Sequence, residues 1–179
     1  KIFVPGHPIA GTEKSGPENG FKNLFNEKWF ISTNCNLCNE ENIRVINSIW
    51  KKFGSKTITM KPKDHDSIMA ITSHIPHLIA YNIVGTASEL EENIKSEVIK
   101  FSASGFRDFT RIASSDPVMW RDIMLSNKDE IISLLDKFNN DLKQIIDAIK
   151  KDNGEFLVKK FQKTRDIRKK IVEAGLDKN

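Results

Sequence analysis

The pattern of hydrophobic and polar positions along the chain changes its character near residue 62. Before that point, short apolar runs alternate with a single helical pattern, which is typical of an α/β segment. After it, apolar residues recur at helical spacing almost to the end of the chain. The pattern predicts a mainly α protein, in which residues 1–62 form the last α/β elements of a sheet domain and residues 63–179 form an all-helical domain.

The α/β segment contains three apolar runs that predict strands, at residues 2–4, 29–31 and 56–60. Residues 40–53 carry apolar side chains at helical spacing, and Gly54 follows as a helix stop. A helix followed by a strand is half of a βαβ unit, and such units belong to sheets with more strands than this segment supplies. Further strands are therefore expected upstream of Lys1.

The first helix of the second segment is predicted to begin near Pro62 and to be apolar on most sides, hence buried. Pro76 lies within it. Because proline has no backbone N–H, it should kink the helix and free a carbonyl near Thr72.

Three further helix starts are visible in the sequence. Asp116-Pro117 predicts an N-cap followed by proline at the first helical position. Asn127 and Glu130 predict a cap with a reciprocal partner for a helix whose apolar stripe covers residues 131–149. A last amphipathic helix is predicted over residues 156–172.

The net charge of +4 does not indicate a nucleic-acid-binding protein, since lysines and acids are interleaved over most of the chain. The one dense basic run, residues 165–170, lacks the aromatic side chains of a single-strand binder. No apolar run approaches the length of a membrane span, and no leader is visible. We therefore expect a cytoplasmic protein with no nucleic-acid or membrane partner.

Cys35 and Cys38 form a C-x-x-C pair. A structural zinc site would require a second pair or matching histidines, and a thioredoxin-type motif would require a helix that opens at the first cysteine. Neither context is present. The expectation is two free thiols in a reducing compartment, and no metal site.

Two charged or titratable groups stand out in loop-like segments. His7 lies in a stretch rich in glycine and proline, where a neutral imidazole could accept a proton from a substrate hydroxyl. A surface histidine in a tight turn is an equally good interpretation. Arg111 lies three residues after Asp108, so the two could form a pair that receives a substrate carboxylate, or an ordinary salt bridge.

The motif Ser73-His-Ile-Pro-His77 places Ser73 and His77 four residues apart, on one face of a buried helix. Two histidines could bind a metal, but no H-E-x-x-H arrangement is present. Core histidines with satisfied hydrogen bonds and polar groups that face a substrate both remain open.

Taken together, four stretches resemble the prephenate and arogenate dehydrogenases of tyrosine biosynthesis, in that family's order and spacing. They are residues 6–16, the pair His65-Asp66, residues 73–77 and residues 105–127. The resemblance implies an all-helical dimerisation domain, similar to the C-terminal domain of 6-phosphogluconate dehydrogenase, after the end of a Rossmann domain. No G-x-G-x-x-G fingerprint is present, so most cofactor-binding residues are expected upstream, as is the serine that orients the family's catalytic histidine.

The resemblance also implies roles for individual residues. His7 matches the catalytic histidine of the family. Arg111 matches the arginine that binds a substrate carboxylate, with Asp108 and Glu13 as its ionic partners.

The resemblance implies further substrate-binding positions. Ser73 and His77 match helix residues that line the pocket, Thr12 and Gly105 match loop residues beside it, and Trp120 matches an aromatic residue near its entrance.

The implied activity is oxidative decarboxylation of prephenate or arogenate with hydride transfer to NAD or NADP, in a homodimer formed through the helical domain. The chain without its upstream segment is expected to be inactive. Two alternatives remain open: a related Rossmann-plus-helical-domain dehydrogenase acting on another hydroxy acid, and a non-catalytic dimerisation module.

Overall fold

The computed structural model describes residues 3–11, 16–35, 38–90, 97 and 104–173. The chain divides into two compact units, Lys1–Ile132 and Ser133–Asn179. The first unit contains the sheet and every candidate site residue. The boundary at residue 62 between a nucleotide-binding and a helical domain stays a prediction.

The sheet has three strands: β1 (Gly6–Ile9), β2 (Trp29–Thr33) and β3 (Lys56–Met60), in the order β1-β2-β3. Strands β2 and β3 are parallel and are connected by helix α1 (Glu40–Lys52), whereas β1 pairs with β2 in the antiparallel direction. The predicted βαβ half-unit is therefore confirmed, because β2, α1 and β3 all occur where the hydrophobic pattern places them.

The first strand differs from its prediction. The apolar run at residues 2–4 was expected to form it, but β1 instead contains His7 and Pro8. Gly6 makes this possible because a Cβ atom there would collide with the Phe30 ring of β2. Pro8 is tolerated because β1 is a terminal strand of this sheet, where a missing N–H need not interrupt a ladder.

An aromatic cluster packs α1 against the sheet. The Trp50 indole stacks on Phe30 with ring centroids 4.4 Å apart, and Phe25 meets its edge at 4.9 Å. Phe30 and Ile31 of β2 are both buried, so the central strand forms the floor of this core. Gly54 follows α1 with a φ of 86°, as expected for a glycine that ends a helix.

A helical path with one irregular turn follows β3. Helix α2 (Pro62–Met69) leads into a π-helical turn (Ala70–His74) and then into α3 (Ile75–Ser88). Within the turn, the N–H of Ile75 donates to the carbonyl of Ala70, five residues earlier. Pro76 is the second residue of α3, directly after this π turn, a feature that often occurs at functional sites. The kink and the free carbonyl near Thr72 stay predictions.

Helix α4 (Ser104–Thr110) continues into a 3-10 turn (Arg111–Ser114), and helix α5 (Pro117–Ser126) follows. The predicted N-cap is confirmed: Asp116 Oδ1 accepts hydrogen bonds from the N–H groups of Val118 and Met119 at 2.7 and 3.0 Å. The Tyr81 hydroxyl donates to the Ser115 carbonyl at 2.6 Å, which fixes this turn against α3.

The predicted reciprocal cap at the next helix is wrong. Helix α6 (Lys128–Lys150) begins after Asn127, but the Asn127 amide donates to the carbonyl of Asp66, and Glu130 accepts a hydrogen bond from Ser67. Both side chains therefore bind α2 and not each other. The partners of these two side chains are 61 and 63 residues away in the sequence, so tertiary hydrogen bonds replace the expected local ones.

Helix α7 (Gly154–Glu173) is the second helix of the Ser133–Asn179 unit. The side chain of Asn153 accepts a hydrogen bond from the N–H of Phe156 in its first turn. Within this unit, Lys160 of α7 pairs with Asp141 of α6 at 2.9 Å. The apolar stripe predicted over residues 131–149 lies on α6, as expected.

The expectation of two free thiols is wrong, since Cys35 and Cys38 are joined as a disulfide. The N–H of Cys38 donates to the carbonyl of Cys35, and the resulting turn holds their Cα atoms 5.2 Å apart, within the usual range for such a bridge. Across the described ranges, no helix is long and apolar enough to cross a membrane.

Candidate active site

A line of three side chains runs from the edge strand into the first turn of α2. His7 Nδ1 lies 2.9 Å from His65 Nε2, and His65 Nδ1 lies 2.8 Å from a carboxylate oxygen of Asp66. His65 is fixed in the first turn of α2, where its N–H bonds to the carbonyl of Lys61. The sequence places His7 and His65 58 residues apart, and the fold brings their rings into contact.

These side chains border a first pocket of about 240 Å³, which Pro5, Gly6 and Thr33 also line. Thr33 is the last residue of β2, and β1 starts beside it because Gly6 pairs with Ser32. The pocket therefore lies at the carboxyl end of a parallel strand, the usual position of a ligand in an open α/β sheet.

Partial burial, and to a lesser extent the nearby charge of His65, lower the pKa of His7. A lowered pKa leaves the imidazole neutral at pH 7, which is the form able to accept a proton.

A second pocket, of about 360 Å³, is bordered by Gly11, His77, Arg111 and Trp120. Gly11 lies four residues after His7, so their Cα atoms are at most about 14 Å apart. The two pockets are therefore neighbours along β1 and the residues that follow it. Arg111 is exposed at its rim and can present a guanidinium to an anion.

His77 is fixed on two sides. Its Nδ1 donates to the carbonyl of Ser73 at 2.8 Å, and its ring stacks on Trp120 with centroids 3.6 Å apart. Burial lowers the pKa of His77, although its bond to the Ser73 carbonyl acts in the opposite direction. With Nδ1 occupied, Nε2 is the ring atom that can contact a ligand.

Asn127 connects the two pockets through polar contacts. Its amide donates to the carbonyl of Asp66 at 2.8 Å and lies 3.2 Å from Nδ1 of His74. The His74 ring meets the edge of Trp120, which in turn contacts His77. Burial and the charges of neighbouring histidines lower the pKa of His74.

Four of the predicted site residues line the two pockets: His7 borders the first, and His77, Arg111 and Trp120 line the second. Ser73 takes part through its backbone carbonyl. Trp120 is 7% exposed and stacks against the His77 ring, and its place near the entrance stays a prediction.

The other predicted residues are Thr12, Glu13, Gly105 and Asp108. Thr12 and Glu13 lie outside the described residues. Gly105 is exposed on α4. Asp108 is exposed on the same helix, and the ion pairs formed among the described residues do not include one between Asp108 and Arg111.

The sequence-based set omitted two residues that the structure places in the arrangement, His65 and Asn127. The resemblance includes His65-Asp66 but gives the pair no role, and its signal in the sequence is a His-Asp dipeptide near the start of a helix that follows a strand. Nothing local distinguishes Asn127 from a helix cap. In the described part of the chain, no cluster of three or more histidine, cysteine or acidic side chains could hold a metal ion.

Comparison with known proteins gives consistent results along the chain. Residues 61–163 match the family model described as the dimerization domain of prephenate dehydrogenase, and residues 1–59 match the model of its nucleotide-binding domain. Cyclohexadienyl dehydrogenase of Zymomonas mobilis is 38% identical over 167 residues, which are 93% of this chain and 57% of that protein. Prephenate dehydrogenase of Bacillus subtilis is 35% identical and is covered over 44% of its length.

Solved structures agree with this result. The prephenate dehydrogenase of Aquifex aeolicus, solved with hydroxyphenyl propionate and NAD+, superposes with a TM-score of 0.87 at 35% identity, over 94% of this chain and 59% of that chain. Arogenate dehydrogenase of Synechocystis superposes with a TM-score of 0.83 at 25% identity, over 94% of this chain and 61% of that chain. The chain thus spans about half the length of the curated relatives it matches, and it belongs to the prephenate dehydrogenase family.

Proposed function

We propose that the whole protein to which these residues belong catalyses the oxidative decarboxylation of prephenate or arogenate, with NAD or NADP as hydride acceptor. The products are 4-hydroxyphenylpyruvate or tyrosine, respectively. The observation that carries the proposal is the juxtaposition of a neutral, hydrogen-bonded His7 with a neighbouring pocket that Arg111, His77 and Trp120 line.

Each part of this arrangement fits one requirement of the reaction. The substrate loses the proton of its ring hydroxyl, and His7, at the border of the first pocket, is the base that would accept it. It carries carboxylates, and Arg111 supplies a planar cation that can bind one of them. Its ring is flat and apolar once aromatised, and the stacked pair of His77 and Trp120 offers an aromatic wall to hold it.

The distribution of charge also fits a decarboxylation. The carboxylate that leaves as carbon dioxide must not be held more tightly in the ground state than in the transition state. Among the described residues that line the second pocket there is one cation, Arg111, and the two histidines nearby, His74 and His77, have lowered pKa values. Such a site binds an anion without surrounding it with fixed positive charge.

The residues present fit the nicotinamide end of a dinucleotide. The first pocket lies at the carboxyl end of β2, where Pro5, Gly6 and Thr33 would border the ring and His65 would lie beside it. When bound, the nicotinamide supplies the hydride acceptor. A nicotinamide bound there would lie beside the His7 ring, which borders the same pocket.

A homodimer formed through the helical domain is part of the proposal. The family model matched by residues 61–163 is that of a dimerization domain. Within the Ser133–Asn179 unit, Ile149, Val158 and Phe161 are each more than half exposed, which is unusual for large apolar side chains with no partner. We expect the protein to sediment as a dimer, and Val158→Glu to shift it towards monomer. A monomeric wild type would contradict this part.

The activity is tested on the protein with the remainder of its nucleotide-binding domain. Absorbance of reduced nicotinamide is followed with prephenate and arogenate in turn, each with NAD and NADP. Turnover with at least one of these four pairs is expected. The ratios of kcat/KM show which substrate and which cofactor the protein prefers. In His7→Asn, kcat should fall by about 100-fold or more, since general-base catalysis contributes roughly that much. A folded protein that binds nucleotide but turns over none of the pairs would contradict the proposal and favour another hydroxy acid as substrate.

A further inference from the structure

The His65-Asp66 pair borders the first pocket and touches the proposed base, but no part in the proton transfer has been assigned to it. From this contact we infer that His65, held by Asp66, is a positioning residue that selects the reactive tautomer of His7 and accepts its proton during turnover. This inference rests on the proposed function for its kinetic consequences, but its first step concerns only the protonation of two rings.

The tautomer follows from the hydrogen-bonding capacity of each group. An ionised Asp66 carboxylate can only accept, so His65 Nδ1, which lies 2.8 Å from it, must carry a hydrogen and donate. A neutral His65 then has a lone pair on Nε2. Because that atom lies 2.9 Å from His7 Nδ1, the hydrogen of this contact must be on His7 Nδ1.

His7 is thereby fixed with its hydrogen on Nδ1 and a lone pair on Nε2. This is the state that a base facing a substrate hydroxyl requires. The opposite tautomer would place an N–H where the proton has to be accepted. The same logic applies wherever one ring nitrogen of a histidine is held by an outer hydrogen-bond partner.

The same line of atoms can carry the proton away from the substrate. As His7 Nε2 takes the hydroxyl proton, its Nδ1 hydrogen can pass to Nε2 of His65. The result is a neutral His7 and a positively charged His65 beside the Asp66 carboxylate. In this transfer the O–H bond of the substrate and the Nδ1–H bond of His7 break. An Nε2–H bond forms on each of the two histidines.

The position of the pair is fixed from the far side of α2. The Asp66 carbonyl accepts from Asn127, and the next residue, Ser67, donates to Glu130 at 2.7 Å. The His65 side chain is 18% exposed, whereas the Asp66 carboxylate is 48% exposed, so a proton that reaches the pair can leave to solvent. The pair is therefore held in place against His7, and its Asp66 carboxylate can exchange a proton with solvent.

Among the residues that the structure describes, the other titratable groups near the pair do not take this role. His74 of the π turn feels the charges of His65, His7, His77 and Asp66, but its Nδ1 contacts Asn127. Glu130 is bonded to Ser67. On the side of the sheet, the same pocket is bordered by Pro5, just before β1, by Gly6 of β1 and by Thr33 of β2, none of which carries a charge.

Two measurements on the full-length protein test the inference. The first is NMR of ring nitrogens in histidine-labelled protein at pH 7, which reports tautomers without any need for activity. We expect His7 to carry its hydrogen on Nδ1 and, in Asp66→Asn, to show a mixture of tautomers. If His7 carries its hydrogen on Nε2 in the unmodified protein, the inference is overturned whether or not the proposed function holds.

The second measurement is the pH dependence of kcat and kcat/KM in His65→Gln and Asp66→Asn. A fall in kcat of about 10- to 100-fold with KM nearly unchanged is expected for loss of an outer partner. The acid limb of kcat/KM should also move to higher pH in His65→Gln, because the nearby charge that lowers the His7 pKa is removed.

Asp64→Asn is the matched control, since it removes an exposed carboxylate from the same first turn of α2. It should leave kcat and the acid limb unchanged. Equal effects of Asp64→Asn and Asp66→Asn, or a change confined to KM, would overturn the inference. Absence of turnover in the unmodified protein would count against the proposed function alone, and the NMR result would still decide the tautomer.

Discussion

The His77 ring lies nearly flat on the indole of Trp120, with centroids 3.6 Å apart and an angle of 22° between the planes. This contact connects α3 to α5, and Trp120 is buried beneath it. The indole thus serves as the support on which a pocket-facing histidine rests.

Trp120→Ala should lower the free energy of unfolding by about 3–5 kcal/mol, since it removes a buried aromatic ring and leaves a cavity. Trp120→Phe should cost less, because a ring remains beneath His77 and the indole N–H, which has no partner among the described residues, is removed. Urea unfolding measures both values. Trp29→Ala is the control, because Trp29 is 44% exposed; a similar loss in Trp29→Ala and Trp120→Ala would contradict this account.

A second prediction concerns Asn127, whose amide bridges Asp66 and His74. Asn127→Ala should lower the free energy of unfolding by about 1–3 kcal/mol, since it leaves partly buried polar groups without their partner. Asn140→Ala, at an exposed position of α6, should change stability by no more than about 0.5 kcal/mol. If thermal or urea unfolding shows no difference between the two variants, the bridge contributes nothing.

The sequence predicts those parts of this fold that depend on neighbouring residues. Strand β3, the end of α1 at Gly54 and the Asp116 cap each follow from a few adjacent side chains. The contact between His7 and His65 joins residues 58 apart, so no local pattern contains it. The sequence draws attention to His7 and to His65 separately, but only the packing of α2 against the sheet brings their rings together.

The errors have the same origin. Asn127 has the composition of a helix cap, yet its amide is used by a carbonyl from a distant helix. Residues 6–9 look like a turn because they contain glycine and proline, yet a terminal strand tolerates Pro8, and Gly6 is required by the Phe30 ring. In both cases tertiary partners override a correct local preference.

Stability should fall as the pH is lowered from about 7 towards 5. The pKa values of His7, His74 and His77 are all lowered in the folded chain, mainly by burial. In the unfolded chain they return to about 6.5, so below that pH the unfolded state binds more protons and is favoured. Above about pH 7 these rings are neutral in both states, so they do not make the free energy of unfolding depend on pH.

Thermal unfolding between pH 5 and 8 checks this expectation. The Tm should decrease with acidification in the native protein, and the decrease should be smaller in His74→Gln. The pKa of Asp141 is also lowered, by its hydrogen bond from Lys160, but the stability it contributes is lost only when the pH falls below about 4. A Tm that is constant from pH 7 to 5, or that rises, would show that the histidines are protonated in the folded state.

The last prediction separates binding from chemistry at Arg111 and rests on the proposed function. Arg111 lies at the rim of the second pocket, away from the line formed by His7, His65 and Asp66. Its guanidinium should contact a carboxylate equally in the ground state and the transition state, so its loss weakens binding more than it slows the chemical step.

Arg111→Ala should therefore raise KM about 10- to 100-fold, as expected when charged hydrogen bonds worth about 1.5–3 kcal/mol are lost, while kcat changes by only a few-fold. Arg111→Lys should give an intermediate KM, because a point charge replaces a planar fork. Arg44→Ala is the control: it removes an arginine whose partner is Glu40 on the exposed face of α1, and KM should not change. If Arg111→Ala instead lowers kcat with KM unaltered, the arginine stabilises the transition state and belongs with the groups that act on the reacting atoms.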